Sequence, residues 1–110
     1  MNEDQERAVA IYTTFPDIAF AKAVGRDLVA AGDAACANIL PKMHSIYRWN
    51  GQVEEADEVV LILKTQRNRV DHLIAEIERR HPYETPAIVV LPIADGSQRY
   101  LDWIVAETGS

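Results

Sequence analysis

Apolar residues along this chain change their period several times, and each change marks an element. Residues 8–13, Ala-Val-Ala-Ile-Tyr-Thr, are apolar and partly β-branched, the composition of a strand. They run into a helix start, with Thr14 as N-cap, Pro16 in the first turn and Asp17 three residues on. Ala21, Val24, Leu28 and Ala31 then recur at helical spacing, and Gly32 supplies a stop. From Ala34 to Trp49 the chain is broken by Pro41 and afterwards alternates. Met43, Ser45, Tyr47 and Trp49 fall on one side, with His44, Ile46 and Arg48 on the other. Asn50-Gly51 is a short hairpin turn, and the return arm runs through Gln52–Glu58 into Val59–Lys64. A second helix is predicted over Asn68–Arg80, with Val70, Leu73, Ile74 and Ile77 on one face and Pro82 ending it. Ala87–Leu91 reads as a fourth strand. Asp95-Gly96 turns the chain, and Ser97 caps a short third helix carrying Tyr100, Leu101, Ile104 and Val105.

The order β-α-β-β-α-β plus a terminal helix is a split βαβ arrangement, an α+β antiparallel sheet with both long helices on one face because its crossovers are right-handed. That leaves the other face uncovered. Yet Val59–Leu63 and Ala87–Leu91 are apolar at consecutive positions, the pattern of strands buried on both sides. Self-association resolves the conflict, because a bare sheet face exceeds the apolar patch a soluble monomer ordinarily shows.

Composition changes this picture little. A chain of 110 residues suits one domain, expected over residues 8–108 behind a flexible tail at 1–7. The formal charge of −6 argues against a nucleic-acid surface, which relies on clustered cations. Arg67, Arg69, Arg79 and Arg80 are interleaved with Asp71, Glu76 and Glu78, a solvated helix face. No apolar run approaches the ~20 residues that span a bilayer, so no membrane partner is expected. The acidic start, Met1 to Arg7, lacks the pattern of a secretory leader, and the single Cys36 excludes an internal disulfide. Both point to the cytoplasm.

Five short motifs in order carry a resemblance. They are Ala35-Cys36-Ala37-Asn38-Ile39 followed by Pro41, Ser45 through Gly51, the Lys64-Thr65 pair, His81-Pro82-Tyr83-Glu84-Thr85-Pro86, and Tyr100-Leu101-Asp102-Trp103. Together they resemble the CutA family over roughly residues 9–104. The resemblance implies a ferredoxin-like subunit in a homotrimer similar in architecture to the PII signalling proteins, and a link to tolerance of divalent cations, with copper binding in the family. Metal-binding members place a Cys at the end of the first strand near one or two His before the Pro-Tyr pair. The corresponding positions here are Thr13 and Arg80-His81.

His81 and Glu84 flank the Pro82-Tyr83 kink and are the candidate metal ligands, a nitrogen and an oxygen for a borderline ion such as copper or zinc. With the thiolate and one imidazole missing, binding is expected to be weak. The alternative role for His81 is to meet unpaired carbonyls at the helix end. Trp49, Lys64, Tyr83 and Tyr47 are candidates for an intersubunit cleft that takes a small anion or metabolite, or else for interface anchors. Cys36, among small residues, reads as core. Nucleophile motifs, phosphate loops and paired helical histidines are absent from the sequence, so catalysis is not expected.

Overall fold

The computed structural model describes residues 7–109. Its elements are β1 (Ala8–Phe15), α1 (Ile18–Ala30), β2 (Cys36–Trp49), β3 (Gln52–Gln66), α2 (Val70–Arg80) behind a 3₁₀ turn at Arg67–Arg69, β4 (Ile88–Pro92) and α3 (Gln98–Glu107). The strands lie in the order β2-β3-β1-β4, every pairing antiparallel. The tail expected at residues 1–7 falls outside the described residues except for Arg7, whose carbonyl accepts a hydrogen bond from Arg67 N–H at 2.8 Å.

Alternation sorts the sheet into two faces. Val9, Ile11, Thr13 and Phe15 of β1 stand opposite Thr65, Leu63, Leu61 and Val59 of β3 and face the helices. There they bury with Ala21, Val24 and Leu28 of α1 and Val70, Leu73 and Ile77 of α2 into one core. At Gly25 a Cβ would stand 3.0 Å from the Ala37 Cβ and 3.3 Å from Leu61 Cδ1, so α1 rests on the sheet so closely that a side chain there would press its neighbours aside.

The first helix starts later than the sequence predicts. Thr14 and Phe15 stay in β1, paired with Val60 and Val59, and the N-cap is Asp17, whose Oδ1 accepts from Phe20 N–H at 2.8 Å. Continued sheet pairing outweighs the cap at Thr14. Gly32, at φ 76°, ends the helix as predicted. The Asn50-Gly51 turn holds both residues at positive φ, 51° and 78°, the twist that a two-residue hairpin needs. Between Leu40 and Met43 the β2–β3 register slips at a bulge around Pro41.

The face turned away from α1 and α2 has three zones. At one end α3 packs Leu101 and Ile104 against Ala8, Ala35 and Ile93. Gln66 Nε2 donates to Thr108 O at 2.7 Å, and Arg69 Nε donates to the same oxygen at 3.0 Å, fixing the end of that helix. The middle is bare: Leu40, Val89 and Leu91 are 54%, 47% and 45% exposed. At the other end the β2–β3 arm rises beside the turn that follows α2.

Candidate functional site

That turn, residues 81–87, begins where Pro82 forbids further helix. His81 leaves α2 with extended backbone, φ −77° and ψ 137°. Its ring stacks on Phe15, centroids 4.4 Å apart, and His81 Nε2–H donates to Thr14 O at 2.6 Å. On the opposite edge Nδ1 accepts from Tyr83 N–H at 3.1 Å. The pair of bonds fixes the neutral tautomer with the proton on Nε2. Burial pulls the His81 pKa below its ordinary value, against the opposing pull of the Thr14 carbonyl and of Glu58.

Tyr83 donates from its OH to Glu58 Oε2 at 3.1 Å, which ties the turn to the return arm of the hairpin. Burial, and then that carboxylate, push the Tyr83 phenol up to about 12, so it stays a neutral donor to Glu58. Between turn and arm opens a solvent-facing cleft of about 960 Å³ lined by Tyr12, Tyr47, Trp49, Glu58, Tyr83 and Glu84 among others. Its volume lies at the upper end of the range for small-molecule sites.

The structure therefore gathers four of the predicted residues, Tyr47, Trp49, Tyr83 and Glu84, around one cleft. Lys64 is elsewhere. It stands at the α3 end, where its Nζ donates to Tyr100 OH at 3.1 Å and lies 5.4 Å above that ring. Cys36 is not core either. It pairs across the strands with Lys64, half-buried on the face away from α1 and α2, with its Sγ 3.7 Å from Tyr100 OH. Tyr12 and Glu58 were not singled out by sequence. Counting register back from the Asn50-Gly51 turn pairs Glu58 with Met43, which places it on the side of Tyr47 and Trp49, so that signal was available.

As for a metal, among the described residues no three His, Cys, Asp or Glu side chains converge on one point. Thr13 Oγ1, at the place of the family's thiolate, is buried among apolar neighbours without a hydrogen-bond partner, and it faces the helices. Arg80 turns back to Asp27 of α1 at 2.8 Å. A hydroxyl is a poor donor to a soft ion, and His81 has protein partners at both nitrogens. These residues do not form a resident metal centre within one chain.

The sequence profile described as "CutA1 divalent ion tolerance protein" matches residues 9–107. The divalent-cation tolerance protein CutA of Thermus thermophilus is 41% identical over 99 residues, 90% of this chain and 96% of that protein. A CutA homolog from Xenopus laevis is 41% identical over 95 residues, and the matched part is 63% of its length. The solved structure of the Thermus thermophilus protein superimposes with a TM-score of 0.89 at 40% identity, covering 93% of this chain and 99% of that one. Sheet order, hairpin and the His-Pro-Tyr turn thus agree with a match along nearly the whole chain, which belongs to the CutA1 family of divalent-ion-tolerance proteins.

Proposed function

We propose that the chain serves divalent-cation tolerance as a cytoplasmic homotrimer that binds and responds to cations without catalytic turnover. The observation that carries this reading is the bare middle of the sheet, where Leu40, Val89 and Leu91 stand half exposed on strands whose opposite side, with Ala37, Ile39, Ile88 and Val90, packs against the core. A PII-like trimer buries three such faces against one another, which removes the apolar patch from water. Sedimentation equilibrium at micromolar concentration is expected to give the trimer mass. A monodisperse monomer would sink the proposal. Fractionation of the native cell tests the address.

In this reading copper or zinc meets the chain at His81, with Glu84 assisting. The ion reaches Nδ1 only when the Tyr83 N–H bond opens, and most of its coordination shell stays water, so binding is weak. Titration calorimetry is expected to show weak binding that disappears in His81→Ala. Tight binding that survives the substitution would move the site elsewhere.

A second reading has its own support in the cleft between the turn and the hairpin arm. Its volume and aromatic lining suit a small organic ligand, as in a signalling scaffold with binding sites between subunits.

A further inference from the structure

The three helices are held to the sheet in different ways. α1 and α2 each bury a full stripe, Ala21, Val24 and Leu28 in one and Val70, Leu73 and Ile77 in the other. Within α3 only Ile104 is fully buried, packed with Leu101 on Ala8, Ala35 and Ile93, while Tyr100 and Trp103 stay exposed. A helix of 10 residues on so small an apolar footing does not persist by its own propensity.

What α3 lacks in packing is supplied at its end. Its last turn carries no cation of its own, and the terminal carbonyls are met by Arg69, from the turn between β3 and α2. Arg69 Nε donates to Thr108 O at 3.0 Å and Nη2 to Gly109 O at 3.1 Å, while Nη1 lies 3.6 Å from the Asp33 carboxylate. Gln66 is 2% exposed and donates from Nε2 to Thr108 O at 2.7 Å and to Thr108 Oγ1 at 3.0 Å. That hydroxyl in turn donates to Ile104 O at 2.8 Å. Asp33 is itself fixed, its carboxylate 3.2 Å from His72 Nε2 and its carbonyl accepting from Thr65 Oγ1 at 2.8 Å. The other polar tie to α3, from Lys64 Nζ to Tyr100 OH, is exposed and competes with water, so it holds little.

We infer that α3 is a strap that opens as a unit from a subunit otherwise folded, and that the clasp of Gln66 and Arg69 on its end keeps it shut. The chain enters α3 through residues 93–97, which form neither helix nor strand, so swinging the helix aside breaks no ladder. Opening bares Ala8 and Ala35, beside the starts of β1 and β2, and leaves the core between the sheet and the two long helices intact. Every partner in the clasp belongs to the same chain, so the latch works alike in a lone subunit and in an assembly.

The test is hydrogen exchange of the full chain read by mass spectrometry, at two protein concentrations about a hundredfold apart. In the unsubstituted protein the amides of 98–108 are expected to exchange at least about tenfold faster than those of β1 and β3, equally at both concentrations. Arg69→Gln is expected to speed α3 about tenfold further and to leave β1, β3 and α1 unchanged. Arg69→Lys keeps the charge but cannot span both carbonyls, and its α3 rates should fall between the two. Protection of α3 equal to that of β1 in the unsubstituted protein would make the helix part of the cooperative core and overturn the inference, whether or not Arg69→Gln folds. Rates in Arg69→Gln that rise alike in every element, or do not rise in α3, would overturn it too. Protection of α3 that grows with protein concentration would mean that a neighbouring copy holds the helix, and the clasp would not be its latch.

Discussion

The two faces of the sheet both carry apolar residues and have opposite fates within one chain. Toward α1 and α2, Ile11, Leu61 and Leu63 are wholly buried, and the helices bring their own apolar stripes to meet them. On the other side, Leu40, Val89 and Leu91 stay about half exposed across the middle of the sheet. The lesson is that helix number and crossover hand decide which side a single chain can cover by itself, and the proposed trimer would account for the apolar residues on the side that they leave open. Charge obeys the same division. The helix side keeps its ions at the rim, as in Arg79 with Glu76, whereas Lys64 on the other side shelters under Tyr100.

The sharpest way to break this contrast is to place one charge on each face. Leu61→Asp puts an unpaired carboxylate in the core and is expected to abolish folding, since such burial costs several kcal/mol. Far-ultraviolet circular dichroism at neutral pH reads the result; a folded Leu61→Asp would mean that the helix side is not the core. Leu91→Asp is expected to keep the circular dichroism spectrum and disperse the oligomer in sedimentation. If it unfolds the chain instead, the uncovered face is part of the subunit's own core and the two faces do not differ in kind. Truncation at the cleft end has a smaller effect. His81→Ala removes the Phe15 stacking and two hydrogen bonds, a loss of about 1–3 kcal/mol in urea unfolding with the trimer retained.

The smallest effect is a pH dependence that sets two histidines against each other. His81 has a lowered pKa, so the unfolded chain takes up the proton first. Stability is then lost as pH falls below about 6.5 toward the folded pKa, and His81→Ala abolishes that slope. His44, on the exposed hairpin arm, lies between Glu55 Oε1 at 2.7 Å and Asp57 Oδ1 at 3.0 Å, and those hydrogen bonds raise its pKa. Its contribution has the other sign: fully present below 6.5 and lost as pH climbs through the raised value. Proton resonance titration of the imidazoles is expected to find His44 midway above 6.5 and His81 below it. The reverse order would contradict both environments.

Much of this architecture is legible in the chain because period and punctuation are local. Asn50-Gly51, Gly32, Ser97 and Pro82 each act within a few residues, and each acts as read. What fails is whatever depends on a distant partner. Thr14 has the chemistry of a cap, but the competing strand partner Val60 lies far along the sequence. Gly25 looks like a weak point in a helix until Ala37 and Leu61 arrive beneath it. For His81, the deciding partner is the Thr14 carbonyl, which no motif around residue 81 announces. Cys36 has small neighbours in sequence, yet its cross-strand neighbour is Lys64, and that pairing follows from the register after the bulge is counted. The aromatic members of the cleft were visible as amphipathic residues in the right segments; their separation from Lys64 was not, because it depends on which end of the sheet each strand position occupies.

The extra residue at the Pro41 bulge acts as a parity switch. Before it, the even-numbered residues Cys36, Asn38 and Leu40 look away from the helices; after it, the odd-numbered residues Met43, Ser45, Tyr47 and Trp49 do. A strand without that insertion would keep the even set in phase and turn His44, Ile46 and Arg48 toward the turn. Tyr47 and Trp49 would then swing to the far side, exchanging an aromatic wall for one that carries an imidazole and a guanidinium. Insertion or deletion of a single residue at this place is thus a short mutational route by which a chain of this architecture changes the chemistry of the wall that its hairpin presents, with no residue of that hairpin substituted.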